Sequence, residues 1–148
     1  DRRPEAEVMP FVKENGLGIM AYGSLSHGLL TGTWNADKTF SDDDWRRGGA
    51  NFGINSWGPD NLAANVAVVE KLKVIASDHG KTIPQLAIAW VLANEAVSVA
   101  LAGSVTPTEA TDNIGGDWDM PVDLKKEIDS LVLSEGSGIG LPGMEIAT

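Results

Sequence analysis

The chain has 148 residues, 43% of them apolar and 22% charged, enough to bury the core of one ordinary domain. Eleven basic against twenty-one acidic residues leave a formal charge of −10, which speaks against nucleic acid or an anionic membrane as partner. With no cysteines, only His27 and His79 far apart, and no apolar run of membrane-spanning length, we expect no disulfide, no thiolate chemistry, no metal centre and no transmembrane span.

Glu5 to Asn15 carries Val8, Met9, Phe11 and Val12 and stops at Asn15-Gly16, which predicts a helix with a glycine C-cap. Leu17 to Tyr22, LGIMAY, is a short apolar run next to glycine on both sides and reads as a strand buried on both faces. Periodicity then fails from Gly23 to Gly58. This segment holds seven glycines, the acidic run Asp42-Asp43-Asp44, the pair Arg46-Arg47 and the aromatics Trp34, Phe40, Trp45, Phe52 and Trp57. Loops of this length inside compact domains usually carry function, and the aromatic content predicts docking on the scaffold. Within it only Ser26 to Thr31 reads as a helical turn, and Arg46-Arg47 reads as a solvated pair beside the acidic run.

Asp60 to Asp78 keeps Leu62, Val66, Val69, Leu72, Ile75 and Ala76 at helical spacing and ends before Gly80, with His79 favoured at the carboxyl end by the helix dipole. Thr82 and Gln85 form a capping box with Pro84 in the first turn, opening the helix IPQLAIAWVLAN, which is apolar nearly all round. A strand over Val97 to Ala102 follows and passes through Gly103-Ser104 into Thr106-Pro107-Thr108-Glu109, a second capping box that starts a helix running to Ile114. Free backbone N–H groups in that first turn point toward the strand end and make an anion site. A last helix carries Leu124, Ile128, Leu131 and Val132 on one face, and residues 134–148 read as an irregular, glycine-rich tail. Strands alternating with helices predict an α/β fold with parallel strands.

Two motifs in this order resemble the carboxyl-terminal half of the aldo-keto reductase family. GIMAYGSLSHGLLTG is similar to the family's seventh barrel strand and cofactor loop. PQLAIAWVLAN followed by AGSVTPTEATDNIG is similar to its last crossover helix, eighth strand and adenosine-phosphate helix. The resemblance covers residues 1–133 and implies the distal part of a (β/α)8 TIM barrel, about two strands with their helices. Whole barrels take about 250 residues, so the isolated chain is expected to be incomplete. It needs the missing amino-terminal half of the barrel or self-association. No residue matches the family's catalytic Asp, Tyr, Lys or His, which lie upstream, so no catalytic residue is assigned and no turnover is expected from this chain alone.

What the resemblance implies is cofactor grip for hydride transfer from NADP(H), with NAD(H) as competitor, to a small carbonyl substrate, an aldehyde or ketone. Tyr22 would stack on the nicotinamide, and Gly23, Ser24 and Leu25 would bring backbone to the pyrophosphate. Gly103, Ser104 and Val105 would line the adenosine phosphate, with Asp112 and Asn113 facing the adenine. Val105 and Glu109 depart from the pattern of NADP-preferring relatives, because a valine bonds no phosphate and a carboxylate repels one. The 2′-phosphate is therefore expected to be held weakly or not at all. His27 reads as a residue of the helical turn. The alternative function is a noncatalytic subunit of the same fold that senses nicotinamide nucleotides. With no cysteines to form a disulfide framework, a cytoplasmic location is expected.

Overall fold

Gly18 stands where two strands approach closely: a Cβ there would lie 2.0 Å from Ser98 Oγ and 3.1 Å from Ser98 Cβ, so any side chain at this entry to the strand would force Ser98 to give way. In the computed structural model, which describes residues 1–144, β1 (Ile19–Ala21) pairs in parallel with β2 (Val97–Ala100). Ile19 faces Val97, Met20 faces Val99 and Ala21 faces Ala100, with one irregularity between Ile19 and Met20. Ile19 N donates to Ala96 O and Leu101 N to Ala21 O, each at 2.9 Å. Parallel neighbours cannot be joined by a hairpin. The chain accordingly returns through the long segment after β1 and two helices, α2 (Leu62–Asp78) and α3 (Ile83–Leu92).

The remaining helices flank this unit: α1 (Val8–Glu14) before β1, then α4 (Pro107–Ile114) and α5 (Val122–Glu135) after β2. The α1 helix starts later than its apolar pattern predicts because Arg3–Glu5, with Pro4 inside it, forms a separate 3-10 turn. Gly16 does follow the helix in the left-handed conformation, with φ 65°. β1 departs from the expectation of a strand buried on both faces, since Leu17 and Met20 are exposed. A parallel strand is buried on both faces only where helices cover both, and α3 against β2 is the main helix contact of this pair. The predicted stripe of α2 is confirmed, with Leu62, Val66, Val69, Leu72 and Ala76 buried and Val68 added to it. They pack with Ile83 and Leu86 of α3, Leu124 and Ile128 of α5, and Trp57 and Leu29 from the long segment. Full burial of each large side chain contributes about 1.5–3 kcal/mol, so this cluster is the main source of cohesion.

One polar residue inside the cluster's border organises its irregular parts. Asn65 on α2 is 4% exposed. Its Nδ2 donates to Ser56 O and Ser137 O, both at 2.6 Å, and its Oδ1 accepts from Ser137 N at 2.9 Å. Asn55 N and Ser56 Oγ add bonds to Gly138 O at 3.1 and 3.2 Å. The tail is thus irregular, as expected, but it is tied to the long segment. It also begins later than expected, because α5 continues through Glu135. The last four residues of the expected 134–148 tail lie outside the described residues. Asn65→Ala should leave three backbone groups without partners and cost about 3 kcal/mol. Urea unfolding would measure the loss; a change under about 1 kcal/mol would contradict the staple.

Candidate functional site

Because β1 and β2 run parallel, their carboxyl ends open on the same side, with Ala21 beside Ala100. The first end carries Tyr22, Gly23, Ser24 and Leu25; the second carries Gly103, Ser104 and Val105 and then α4. Neighbouring strands lie about 4.8 Å apart, so the pairing brings the two predicted groups to one edge of the molecule.

At the first end Tyr22 is 70% exposed. Gly23 turns the chain with φ 72°, and Ser24 and Leu25 fold inward, with Ser24 Oγ donating to Ala21 O at 3.2 Å. The helical turn predicted over Ser26–Thr31 is present as a broken 3-10 turn. Its break lies at Ser26 and His27, which take positive φ of 47° and 54°, and at Gly28, with φ 113°, where a Cβ would meet Trp34 Cζ2 at 2.9 Å. His27 is the hub of this end. Its ring lies 5.7 Å from that of Tyr22, 5.0 Å from Trp45 and 5.4 Å from Trp57. Asn51 Nδ2 stands 3.0 Å from His27 Nε2, and Arg46 Nη1 donates to His27 O at 3.0 Å. Apart from Tyr22, these partners lie 18 to 30 positions downstream in the chain, which is why local sequence reading made His27 a simple turn residue. Burial, and then the charge of Arg46, holds its imidazole below the ordinary histidine pKa.

Arg46 corrects a second expectation. It is not a solvated cation: its guanidinium grips Asp44 with bonds of 2.6 to 3.2 Å, and it lies 5.1 Å from the Phe40 ring centre and 5.9 Å from that of Trp34. Bonds from Arg46 hold the Asp44 carboxyl down at about 2. Arg46 O accepts from Trp57 Nε1 at 2.9 Å. Only Arg47 fits the solvated reading, paired with Asp42 at 3.1 Å on the surface. The expected docking of the long segment on its own scaffold is confirmed through Trp57, which is buried, and through Trp34 and Phe40, which pack against the core.

At the second end Thr106 Oγ1 caps α4 by accepting from Glu109 N at 3.2 Å. The capping box is displaced by one residue: Glu109 Oε2 accepts from Val105 N at 2.7 Å, not from the backbone of Thr106. The side chain of Val105 is free, the residue being 93% exposed. Asn113 Nδ2 donates to Ser104 Oγ at 3.0 Å, which fixes the strand-to-helix loop. Asp112 turns elsewhere, accepting from Thr82 Oγ1 and Gln85 Nε2 at 3.0 Å and so fastening α4 to the start of α3. No lysine or arginine occurs between Lys81 and Lys125. An open cavity of about 480 Å³ has Tyr22, Gly23, His27, Phe52 and Trp57 on its wall and continues past Leu86.

Parallel strands joined through helices, with the carboxyl end of β1 on a cavity wall, define a protein of the α/β class, in which ligands bind at the carboxyl ends of the strands. The narrower assignment follows from comparison: the model described as the aldo/keto reductase family matches residues 1–117, and the chain belongs to that family. It is 30% identical over 135 residues to the aldo-keto reductase YhdN of Bacillus subtilis, covering 89% of this chain and 39% of that protein. It is 29% identical over 114 residues to the NADH-specific methylglyoxal reductase of Escherichia coli, covering 77% of this chain and 33% of that protein. The chain thus spans only 39% and 33% of the length of these relatives. Among solved structures it resembles the glycerol dehydrogenase of Gluconobacter oxydans, with a TM-score of 0.80 and 27% identity over 99% of this chain and 43% of that one. A likeness of fold alone extends to an aldo-keto reductase of Bacillus halodurans, with a TM-score of 0.63 and 19% identity over 97% of this chain and 41% of that one. The mixed helix and strand arrangement with its small parallel sheet agrees with the (β/α)8 architecture of these neighbours.

The depressed His27 value gives a signed prediction. The unfolded chain binds more protons, so the contribution of His27 to stability is full above about pH 6.5 and is lost as pH falls toward the lower folded value. An NMR titration of the His27 ring should give a midpoint below 6.5. A midpoint at or above that value would contradict the enclosed imidazole.

Proposed function

We propose that the chain is the cofactor-holding part of an NAD(P)H-dependent reductase of aldehydes or ketones. The observation that supports this reading best is the juxtaposition, at one end of a parallel pair, of the exposed Tyr22 ring and the start of α4. The residues fit a dinucleotide: Tyr22 offers a flat apolar face, and Gly103, where a Cβ would meet nothing within 4 Å, leaves room for a close approach to the backbone. A bound nicotinamide would supply the hydride. Tyr22 then orients the ring, Gly23, Ser24 and Leu25 present backbone to the pyrophosphate, and Gly103, Ser104 and Val105 present it to the adenosine end. The engaged amide of Asn113 holds Ser104 in place, and Asp112 serves the α3–α4 junction in place of adenine contact.

The adenosine end favours NAD(H) over NADP(H). Glu109 already places a carboxylate on Val105 N, and no basic side chain between Lys81 and Lys125 offsets it. Arg46 is committed to Asp44 and His27. In this reading the chain is the distal part of a (β/α)8 barrel. The catalytic Asp, Tyr, Lys and His come from barrel residues other than these 148, in a cytoplasmic enzyme. The open face around Met20 and Val99 is covered by the rest of the barrel or by self-association.

A noncatalytic subunit that senses nicotinamide nucleotides is the second reading. One relative, 31% identical over 116 residues, is named a probable voltage-gated potassium channel subunit beta of Arabidopsis thaliana. Reductase turnover by the complete barrel separates the two readings, and the isolated chain should show none. Calorimetric titration should find NADH bound more tightly than NADPH, and Tyr22→Ala should weaken NADH about tenfold. Glu109→Arg should shift preference toward NADPH by about tenfold or more. Tighter binding of NADPH by the unaltered chain would contradict the role given to Glu109.

A further inference from the structure

Tyr22 does not hold its own ring in place. Among the described residues its hydroxyl makes no hydrogen bond, and its ring enters one aromatic pair, with His27 at 5.7 Å and a tilt of 59°. An exposed tyrosine left to itself moves among its rotamers, so the direction of this ring depends on that one aromatic neighbour.

His27 is in turn fixed by the long segment. Its ring lies 5.0 Å from Trp45 and 5.4 Å from buried Trp57, whose Nε1 is bonded to Arg46 O. Arg46 Nη1 donates to the His27 carbonyl at 3.0 Å, and Nε2 meets the Asn51 amide at 3.0 Å. Asn51 stands on an anchored turn. It exchanges backbone bonds with Ile54, at 2.8 and 2.9 Å, and buried Arg3 donates from Nη2 to Phe52 O at 2.8 Å. On the side of the strand end, the Nε2–Cε1 edge of the imidazole faces the bare side of Gly23, where a Cβ would stand 3.5 and 3.6 Å away.

The backbone carries strain at the same place. Ser26 and His27 both take the left-handed conformation, with φ of 47° and 54°, which L residues other than asparagine and aspartate seldom adopt. Such strain persists only where the surroundings over-determine it, and it gathers at ligand clamps. Here it turns the imidazole back onto the loop that carries Tyr22.

We propose that His27 is a positioning residue for the nicotinamide end of the site, the link through which the long segment sets the direction of the Tyr22 ring. The assignment rests on the dinucleotide reading above and adds to it a residue which that reading leaves without a role. Tyr22 alone faces the nicotinamide, whose other face stays open for hydride transfer. His27 acts behind it by restricting the tyrosine before the ligand arrives, so that less ordering remains to oppose binding.

The test is a double-mutant cycle on the full chain, read as NADH affinity by calorimetry. His27→Asn suits the left-handed position and is too short to reach the Tyr22 ring. It should weaken NADH about threefold to fivefold when Tyr22 is present and change it less than about twofold in the Tyr22→Ala background. Asn51→Ala, which leaves the left-handed backbone of Ser26 and His27 untouched, should repeat that pattern and keeps the test open should His27→Asn fail to fold. NADH affinity indifferent to both substitutions, or an equal loss in both backgrounds, would overturn the positioning role while leaving the dinucleotide site intact. Failure of the unaltered chain to bind NADH would overturn the dinucleotide reading itself, and this role with it.

Discussion

Parallel pairing of β1 with β2 is the constraint from which the rest of the architecture follows. Parallel neighbours cannot be joined by a tight turn, so the chain must leave the end of β1, cross over through helices and return in the same direction. The crossover explains why α2 and α3 lie between the strands in sequence, and why the apolar stripe of α2 is the backbone of the core. The same pairing sends both carboxyl ends to one side. Two loops far apart in sequence, one at Tyr22 and one at Gly103, become neighbours without touching each other through side chains. Gly18 eases the close approach, since a side chain there would have to displace the Ser98 hydroxyl.

The long segment after β1 is part of the scaffold. Arg46 binds Asp44, covers Phe40 and Trp34, donates to His27 O and accepts Trp57 Nε1 through its own carbonyl. Such a residue cannot also neutralise a bound phosphate. Its charge helps to keep the His27 imidazole neutral, and a neutral ring can accept the Asn51 amide that positions the turn carrying Phe52. Asn65 fastens the far end of the same segment to α2 and to residue Ser137. The rim of the cavity is thus set by polar staples and cation–ring contacts, and the apolar core lies beneath it.

Regular elements with strong local signals were legible in the sequence. The α2 stripe, the Thr82–Gln85 capping box, the α4 start at Thr106 and the face of α5 all depend on residues within one or two turns of each other. The exposure of β1 was not legible, because an apolar run reports what a strand can bury and not what covers it. Arg46 was misread, and the contacts that His27 makes beyond its turn were missed, for a related reason. Their partners are set by the path of a glycine-rich segment with no periodicity, so a pair of arginines beside aspartates resembled a solvated surface. Glu109 shows the limit of motif reading: Thr-x-x-Glu predicts a reciprocal box, yet the carboxylate reaches one residue further back, to Val105 N. The family resemblance located both groups of the candidate site, but it could not show that Asp112 is engaged by α3.

The central claim is that the two strand ends act together on one dinucleotide. Amide chemical shifts of the isotope-labelled chain, followed during titration with NADH, test this most directly. The account predicts that the signals of Gly23, Ser24 and Leu25 move along the same saturation curve as those of Gly103, Ser104 and Val105. Shifts confined to one group, or none at either, would contradict it.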